Sequence, residues 1–334
     1  MVEIRKANDL SPHSGLSLVV AGPPGTGKSW FLGTMAETGP TLLIATLSRE
    51  VNSVNYQRNN VDVVLLEDLG WMPSLDPPRY EATAFADFLQ LINDLYDDDY
   101  YKNVIIDSGT ELAEAAWHEA LKPHGVASPA DMEDKRSRWL PYETLDILLD
   151  QAIKSAVSLT KLSVKPKNVG IAWHVQPPKD DTYDSSTSTT KKSADHKSEG
   201  VEYEGKVLPM IRGRFRRRLA AQVDAYIYTD IKWEVEEGKK AGKKERSANF
   251  VVQVSPHQDR HTKLPGPLPA KKFIPNDFST FMGLIEEIIH HPEGIVVPEE
   301  KPVSEPSTTK PAARKPSTSK KKGGTTRKRR LKGS

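Results

Sequence analysis

The sequence predicts an α/β fold with a central, mostly parallel β-sheet flanked by helices, and three observations carry this prediction. Short apolar runs alternate with segments of helical periodicity along most of the chain. A glycine-rich turn at residues 22–29 joins the first apolar run to a helical segment. A later apolar run ends in Asp107. This order is typical of parallel sheets, which bind ligands at the carboxyl ends of their strands.

The glycine-rich turn follows an apolar strand at 16–21 and precedes the first turns of a helix at 30–36. It matches G-x-x-x-x-G-K-[ST], the phosphate-binding pattern called the P-loop. Its residues are Gly22-Pro23-Pro24-Gly25-Thr26-Gly27-Lys28-Ser29. We expect its N–H groups to surround phosphate oxygens, Lys28 to reach the β- and γ-phosphates, and Ser29 to bind Mg²⁺. The guanine signature Asn-Lys-x-Asp does not occur, so ATP and Mg²⁺ are the predicted cofactors. The alternative is a glycine-rich turn that binds nothing.

The apolar run at 103–106 leads directly into Asp107. A carboxylate at the end of a strand beside the P-loop strand is the second half of a P-loop ATPase site, where it holds Mg²⁺ through water. Alternatively, Asp107 caps the N-terminus of the helix predicted at 110–121, and the two roles are compatible. We therefore predict Ser29 and Asp107 as the metal ligands.

The same periodicities place the remaining elements. Strands are predicted at 41–46, 61–66, 169–176, 223–229 and 249–254. Helices are predicted at 80–96, 142–162 and 278–289. Residues 177–206 are polar and low in complexity, so we expect a flexible loop there. The predicted organisation is a lead-in at 1–15, one ATPase domain at 16–291 and a disordered basic tail at 292–334.

Composition excludes several classes of protein. The 334 residues include no cysteine, so a disulfide framework, a cysteine-ligated zinc site and a thiol nucleophile are excluded. No apolar run approaches the roughly 20 residues of a membrane span. The N-terminus lacks the apolar core of a signal peptide, so we expect a cytoplasmic protein with no membrane partner.

The net charge of +2 hides an asymmetry along the chain. Residues 301–334 hold twelve Lys or Arg and one acid, a net charge of +11, which leaves −9 for residues 1–300. A basic tail on an acidic body indicates a polyanionic partner. We expect the tail to bind phosphate backbones without sequence preference, and the alternative is a nuclear-type localisation signal or a simple solubility tail.

Ser108 follows Asp107, whereas AAA+ proteins in the strict sense place a glutamate after the corresponding aspartate. The order of P-loop, helix, two strands, helix and Asp107-Ser108 resembles the RecA-like ATPase core over residues 15–290. It is most similar to the phage-encoded RecA-like ATPases that accompany single-strand annealing and recombination. The resemblance implies single-stranded DNA as a partner, a ring or filament of identical subunits, and a phage annealing or single-strand-binding protein in the host cytoplasm.

The resemblance also implies catalytic roles outside the two motifs. A catalytic glutamate is expected just past the second strand, where Glu50 is offset by two or three residues. Glu67, at the end of the third strand, is the other candidate for the catalytic glutamate. Arg260 follows the last core strand, where related ATPases insert a cationic finger into the neighbouring subunit's site. The alternative for Arg260 is an ordinary surface arginine.

The polar end of the strand at 169–176 corresponds to the segment that senses the γ-phosphate in RecA-like proteins. His174 and Gln176 are the candidate sensors, and the alternative for His174 is a hydrogen-bonded histidine at a strand end. The loops at 122–138 and 177–206 correspond to the first and second DNA-binding loops of the family.

Five arginines occur within residues 212–218. They form either a DNA-facing strip or a solvated helix face beside an acidic surface. The favoured function is a Mg²⁺-dependent ATPase that is stimulated by single-stranded DNA in phage recombination, annealing or replication. A small-molecule phosphotransferase, with the arginine run as a lid over the phosphates, is one alternative. A non-hydrolysing, ATP-gated scaffold is the other.

Overall fold

The computed structural model describes residues 15–55, 60–68, 70–176, 207–237, 244–256 and 260–290. The lead-in up to residue 14, the loop at 177–206 and the tail at 292–334 lie outside these ranges. The expectations about those segments therefore stay predictions.

Strands and helices alternate through most of the described chain. The strands are β1 (Ser17–Gly22), β2 (Thr41–Ala45), β3 (Val61–Leu65), β4 (Gly70–Met72), β5 (Arg79–Glu81), β6 (Asn103–Asp107), β7 (Asn168–Gln176), β8 (Leu208–Pro209), β9 (Ala225–Glu237), β10 (Lys244–Gln253) and β11 (Phe273–Pro275). The helices are α1 (Lys28–Gly33), α2 (Ser48–Asn55), α3 (Ala84–Asp94), α4 (Gly109–Leu121), α5 (Leu140–Ser158), α6 (Leu219–Gln222) and α7 (Phe278–His290). None of these helices combines the length and the apolar composition needed to cross a membrane.

The main sheet has the strand order β11-β10-β9-β1-β7-β6-β2-β3. The six strands from β9 to β3 in this order are parallel, whereas β10 and β11 run antiparallel to their neighbours. This arrangement confirms the predicted α/β core, with a mostly parallel central sheet flanked by helices.

The two faces of the sheet carry separate hydrophobic layers because side chains alternate along each strand. On β1, Val19 and Ala21 pack into the layer covered by α3, α4 and α5. Leu18 and Val20 point to the opposite layer, which is covered by α1 and α7. All four side chains are fully buried. The P-loop strand therefore lies inside a three-layer structure.

The structure corrects one topological expectation. The strand that ends in Asp107 is not the direct neighbour of the P-loop strand, because β7 lies between β6 and β1. Gly22 on β1 pairs in register with His174 on β7, and Ile106 on β6 pairs with Ile171 on β7. The carboxyl ends of the three strands still meet at one edge, so Asp107 reaches the P-loop across the end of β7.

The predicted helix at 80–96 is shorter in the structure because its start belongs to a hairpin. Residues 79–81 form β5, which pairs with β4. The carboxylate of Asp68 accepts hydrogen bonds from the backbone N–H groups of Thr83 (3.0 Å) and Ala84 (2.9 Å), which fixes the start of α3. The sequence patterns also did not predict α2 or the short elements β4, β8, α6 and β11, which span only two to four residues each.

Candidate nucleotide site

A cavity of about 580 Å³ opens at the carboxyl ends of β1, β6 and β7. We call it the nucleotide cavity. Its lining residues are Pro24, Gly25, Gly27, Lys28, Ser29, Trp30, Arg49, Glu50, Asp107, His174 and Phe250. Five of the eight predicted P-loop residues thus come together with three of the other candidates, Glu50, Asp107 and His174.

Lys28 is buried, and its ammonium group lies inside the P-loop. Its Nζ donates hydrogen bonds to the carbonyl oxygens of Gly22 (3.0 Å) and Pro23 (2.8 Å). Burial lowers the pKa of Lys28 to about 8, although the nearby Asp107 carboxylate acts in the opposite direction. A polyphosphate in the cavity would offer this desolvated ammonium a negatively charged partner.

Two glycines give the P-loop its shape. Gly25 and Gly27 have φ angles of +78° and +88°, which side chains other than hydrogen rarely tolerate. A β-carbon at Gly27 would also lie 2.5 Å from Nδ2 of Asn276, which donates a 3.0 Å hydrogen bond to the Gly27 carbonyl oxygen. The hydroxyl groups of Thr26 and Thr229 lie 2.7 Å apart and tie the same loop to β9.

Asp107 has the properties of a Mg²⁺ ligand. It is buried, and its Oδ2 has no hydrogen-bond partner among the described residues. Burial raises the pKa of Asp107, while the hydrogen bond from Ser29 and the charge of Lys28 lower it. An unpartnered buried carboxylate oxygen next to a hydroxyl group fits a hard divalent cation, so Ser29 and Asp107 fit the predicted metal site.

Glu50 lies on α2 and faces the same cavity. Its Oε2 accepts hydrogen bonds from the backbone N–H groups of Thr46 (3.1 Å) and Leu47 (2.9 Å). Burial, followed by the charge of Asp107, raises the pKa of Glu50 to about 7. Thr46 also links Glu50 to the backbone of the second acid, since its N–H donates a 3.0 Å hydrogen bond to the carbonyl oxygen of Asp107. A carboxylate with a pKa near neutrality is suited to accept a proton from water.

Glu67 does not line the nucleotide cavity. Its carboxylate is exposed and accepts hydrogen bonds from the backbone N–H and hydroxyl of Ser48, which lower its pKa. Of the two candidate glutamates, the geometry therefore favours Glu50.

His174 lies at the cavity, at the end of β7. Burial, followed by the charges of Lys28 and Arg49, lowers the pKa of His174 to about 4, so the imidazole is neutral at neutral pH. Its Nδ1 is buried without a partner in the described part of the chain. Gln176 ends the same strand and pairs with Leu208 through the backbone, but its side chain lies outside the described residues.

Arg260 does not line the nucleotide cavity. Its Nη1 lies 2.6 Å from Oδ2 of Asp230, and its side chain is only 18% exposed. This ion pair within the chain would have to break before Arg260 could reach a neighbouring subunit. The role of a cationic finger stays a prediction.

Four residues at the site were missed by the sequence analysis. Trp30 directly follows the P-loop motif, so its place at the cavity could have been predicted from adjacency. Arg49 lies on α2, and this helix was itself not predicted. Phe250 and Asn276 come from distant segments, and Asn276 contacts a residue 249 positions away, for which the sequence holds no local signal.

Residues 14–263 match the model of a protein family described as AAA domain. The chain belongs to the AAA domain family. The match spans the P-loop, Asp107, Glu50 and β7, and it supports nucleotide binding by an ATPase of this broad class. No curated protein matches the chain.

Proposed function

We propose that this AAA domain protein is a Mg²⁺-dependent ATPase that is stimulated by single-stranded DNA and serves phage recombination, annealing or replication. The observation that carries the hydrolytic part is the shared cavity of Lys28, Asp107 and Glu50. It combines a desolvated ammonium, a free carboxylate oxygen and a second carboxylate with a raised pKa.

In this proposal Lys28 binds the β- and γ-phosphates, and Ser29 and Asp107 hold the metal ion. Bound Mg²⁺ would supply positive charge that neutralises the phosphate oxygens. Glu50 accepts the proton of the attacking water. His174 contacts the γ-phosphate side of the cavity through a neutral imidazole.

The DNA-dependent part is supported by the RecA-like order of elements and by the charge of the tail. The strand that carries His174 leads directly into the polar segment at 177–206, which corresponds to a DNA-binding loop in the resemblance. Assembly into a ring or filament belongs to the same proposal.

The two alternatives have less support. The arginines proposed as a phosphotransferase lid do not line the nucleotide cavity. A non-hydrolysing scaffold gives no role to a buried glutamate whose pKa is raised to about 7 beside the metal site.

The test is phosphate release with and without single-stranded DNA, for wild type and Lys28→Ala. We expect DNA to raise wild-type release several-fold and Lys28→Ala to abolish release in both conditions. The proposal would be contradicted if phosphate release were the same with and without DNA and truncation after Glu300 left DNA binding unchanged. Incubation with ATP and a panel of nucleosides would reveal a phosphotransferase by a phosphorylated product.

A further inference from the structure

A second cavity, of about 560 Å³, is formed by the arginine run and α5. We call it the arginine cavity. Its lining residues are Asp146, Gly213, Arg214, Arg216, Arg217 and Arg218. None of them lines the nucleotide cavity, so this site is separate from the P-loop.

The turn that carries these arginines is firmly anchored. Oδ1 of Asp146 accepts hydrogen bonds from the backbone N–H groups of Arg214 and Phe215, both at 3.1 Å. Phe215 is fully buried. Gly213 has a φ of +80°, and a β-carbon there would lie 2.7 Å from Asp146 Oδ1, so the close approach requires glycine. An anchored turn loses less conformational entropy when a ligand binds.

Three of the arginines that line the arginine cavity have no ion pair within the described chain. Arg214, Arg216 and Arg218 form no ion pair with any described residue, and Asp146, the acid that lines the cavity, bonds the backbone of the turn. Arg212 differs, because it pairs with Glu114 at 3.0 Å and stacks on Trp117. Arg212 therefore has a structural role, whereas Arg214, Arg216 and Arg218 line the cavity without a carboxylate partner in the described chain.

The arginine cavity is connected to the nucleotide cavity through β7 and β8. Val175 and Gln176, at the end of β7, pair with Pro209 and Leu208 of β8. The carbonyl oxygen of His174 accepts a 2.8 Å hydrogen bond from the N–H of Met210. Two residues after Met210 the arginine run begins, so a strand that lines the nucleotide cavity also holds the segment that leads into the cations.

We propose that the arginine cavity binds the phosphate groups of a single-stranded nucleic acid backbone. The guanidinium group is planar and presents paired N–H donors that match phosphate oxygens, and several such groups around one cavity suit successive phosphates. That the nucleic acid is single-stranded and not double-stranded rests on the proposed function. The binding is electrostatic, so it weakens steeply as salt rises.

The test measures binding of a labelled oligothymidylate to the full chain over a series of salt concentrations. In Arg214→Gln/Arg216→Gln, we expect the slope of log affinity against log salt to fall by about 1.4, because each single-strand phosphate contact contributes about 0.7. Arg214→Lys/Arg216→Lys keeps the charges, so its slope stays close to wild type while its affinity falls. The matched control Lys271→Gln/Lys272→Gln removes two exposed charges elsewhere and leaves the slope unchanged.

An unchanged slope in Arg214→Gln/Arg216→Gln overturns the assignment. An equal fall of the slope in Lys271→Gln/Lys272→Gln also overturns it. So does displacement of the oligonucleotide by inorganic phosphate or polyglutamate as effectively as by unlabelled oligonucleotide. Should the double variant fail to fold, the wild-type chain supplies the answer. The oligonucleotide then protects Arg214 and Arg216 from phenylglyoxal while Arg79 stays reactive, and equal reactivity contradicts the proposal.

The two proposals fail in different ways. If DNA stimulates phosphate release equally in wild type and Arg214→Gln/Arg216→Gln, the arginine cavity is not the DNA site and the proposed function stands. If the oligonucleotide binds through the arginine cavity without changing phosphate release, the site stands and the DNA-stimulated function is wrong.

Discussion

Two acids, Glu50 and Asp107, share the nucleotide cavity, and Thr46 joins the carboxylate of Glu50 to the backbone of Asp107, but the environments of the two carboxylates differ. Glu50 accepts several hydrogen bonds, whereas Asp107 keeps one buried oxygen without a partner among the described residues. These environments suit Glu50 to proton transfer and Asp107 to metal binding. At the residue scale, the sequence predicted Asp107 from its place after an apolar run. It could not choose between Glu50 and Glu67, because the choice depends on the direction of α2.

Replacing the proposed base separates catalysis from binding. Glu50→Gln is expected to lower ATP turnover by about 10²–10⁴-fold, the usual contribution of general-base catalysis, while ATP binding is retained. Glu67→Gln is the matched control, since Glu67 is exposed outside the cavity, and its turnover stays near wild type. Phosphate release and nucleotide titration give the two readouts. Equal effects of the two substitutions would contradict the assignment.

The raised pKa of Glu50 also predicts a pH-dependent stability. Its pKa is 4.5 ordinarily and about 7 in the fold, so the protonated form is favoured by folding. This stabilisation is fully present below the ordinary pKa and is lost as pH rises through about 7. Glu50→Gln removes the cost of the buried charge, so its melting temperature relative to wild type should be higher at about pH 8 than at about pH 5. A difference that does not change with pH would contradict this account.

At the scale of elements, the P-loop is held from outside by segments far away in the sequence. Asn276 and Phe250 border Gly27, and Thr229 contacts Thr26. The motif itself, with its flanking strand and helix, was predictable because its pattern is local. The supporting contacts were not, because they depend on how β9, β10 and β11 extend the sheet.

A pair of glycine substitutions tests this support. Gly25→Ala should lose about 1–2 kcal/mol of unfolding free energy, because alanine is strained at positive φ. Apart from the adjacent residues, no atom of the described chain lies within 4 Å of a β-carbon at Gly25, so no clash is added. Gly27→Ala carries the same strain plus the contact with Asn276, and should lose at least about 1 kcal/mol more.

Denaturant unfolding of the two variants measures the difference. Adding Asn276→Ala to Gly27→Ala should recover part of the extra loss, because it removes the atom that the new methyl group meets. Equal stabilities of Gly25→Ala and Gly27→Ala would show that the distant segment does not support the loop.

At the scale of the whole molecule, the strand order of the sheet determines which segments lie next to the nucleotide cavity. β7 lies between the P-loop strand and the strand of Asp107, and it continues into β8 and the arginine cavity. The sequence predicted each of these strands except β8, but it did not predict their lateral order. Buried strands of a parallel sheet have similar apolar sequences whatever their position in the sheet. Only the folded sheet brings His174 opposite Gly22.

All the proposed roles depend on binding of ATP with Mg²⁺ in the nucleotide cavity through Lys28 and Asp107. Calorimetric titration of the full chain with ATP, with and without Mg²⁺, tests it most directly, with Lys28→Ala as the comparison. We expect the wild-type chain to bind ATP more tightly with Mg²⁺ than without it, and Lys28→Ala to lose at least about tenfold in affinity, or about 1.4 kcal/mol. A wild-type chain with no affinity for any adenine triphosphate in the presence of Mg²⁺ would contradict it.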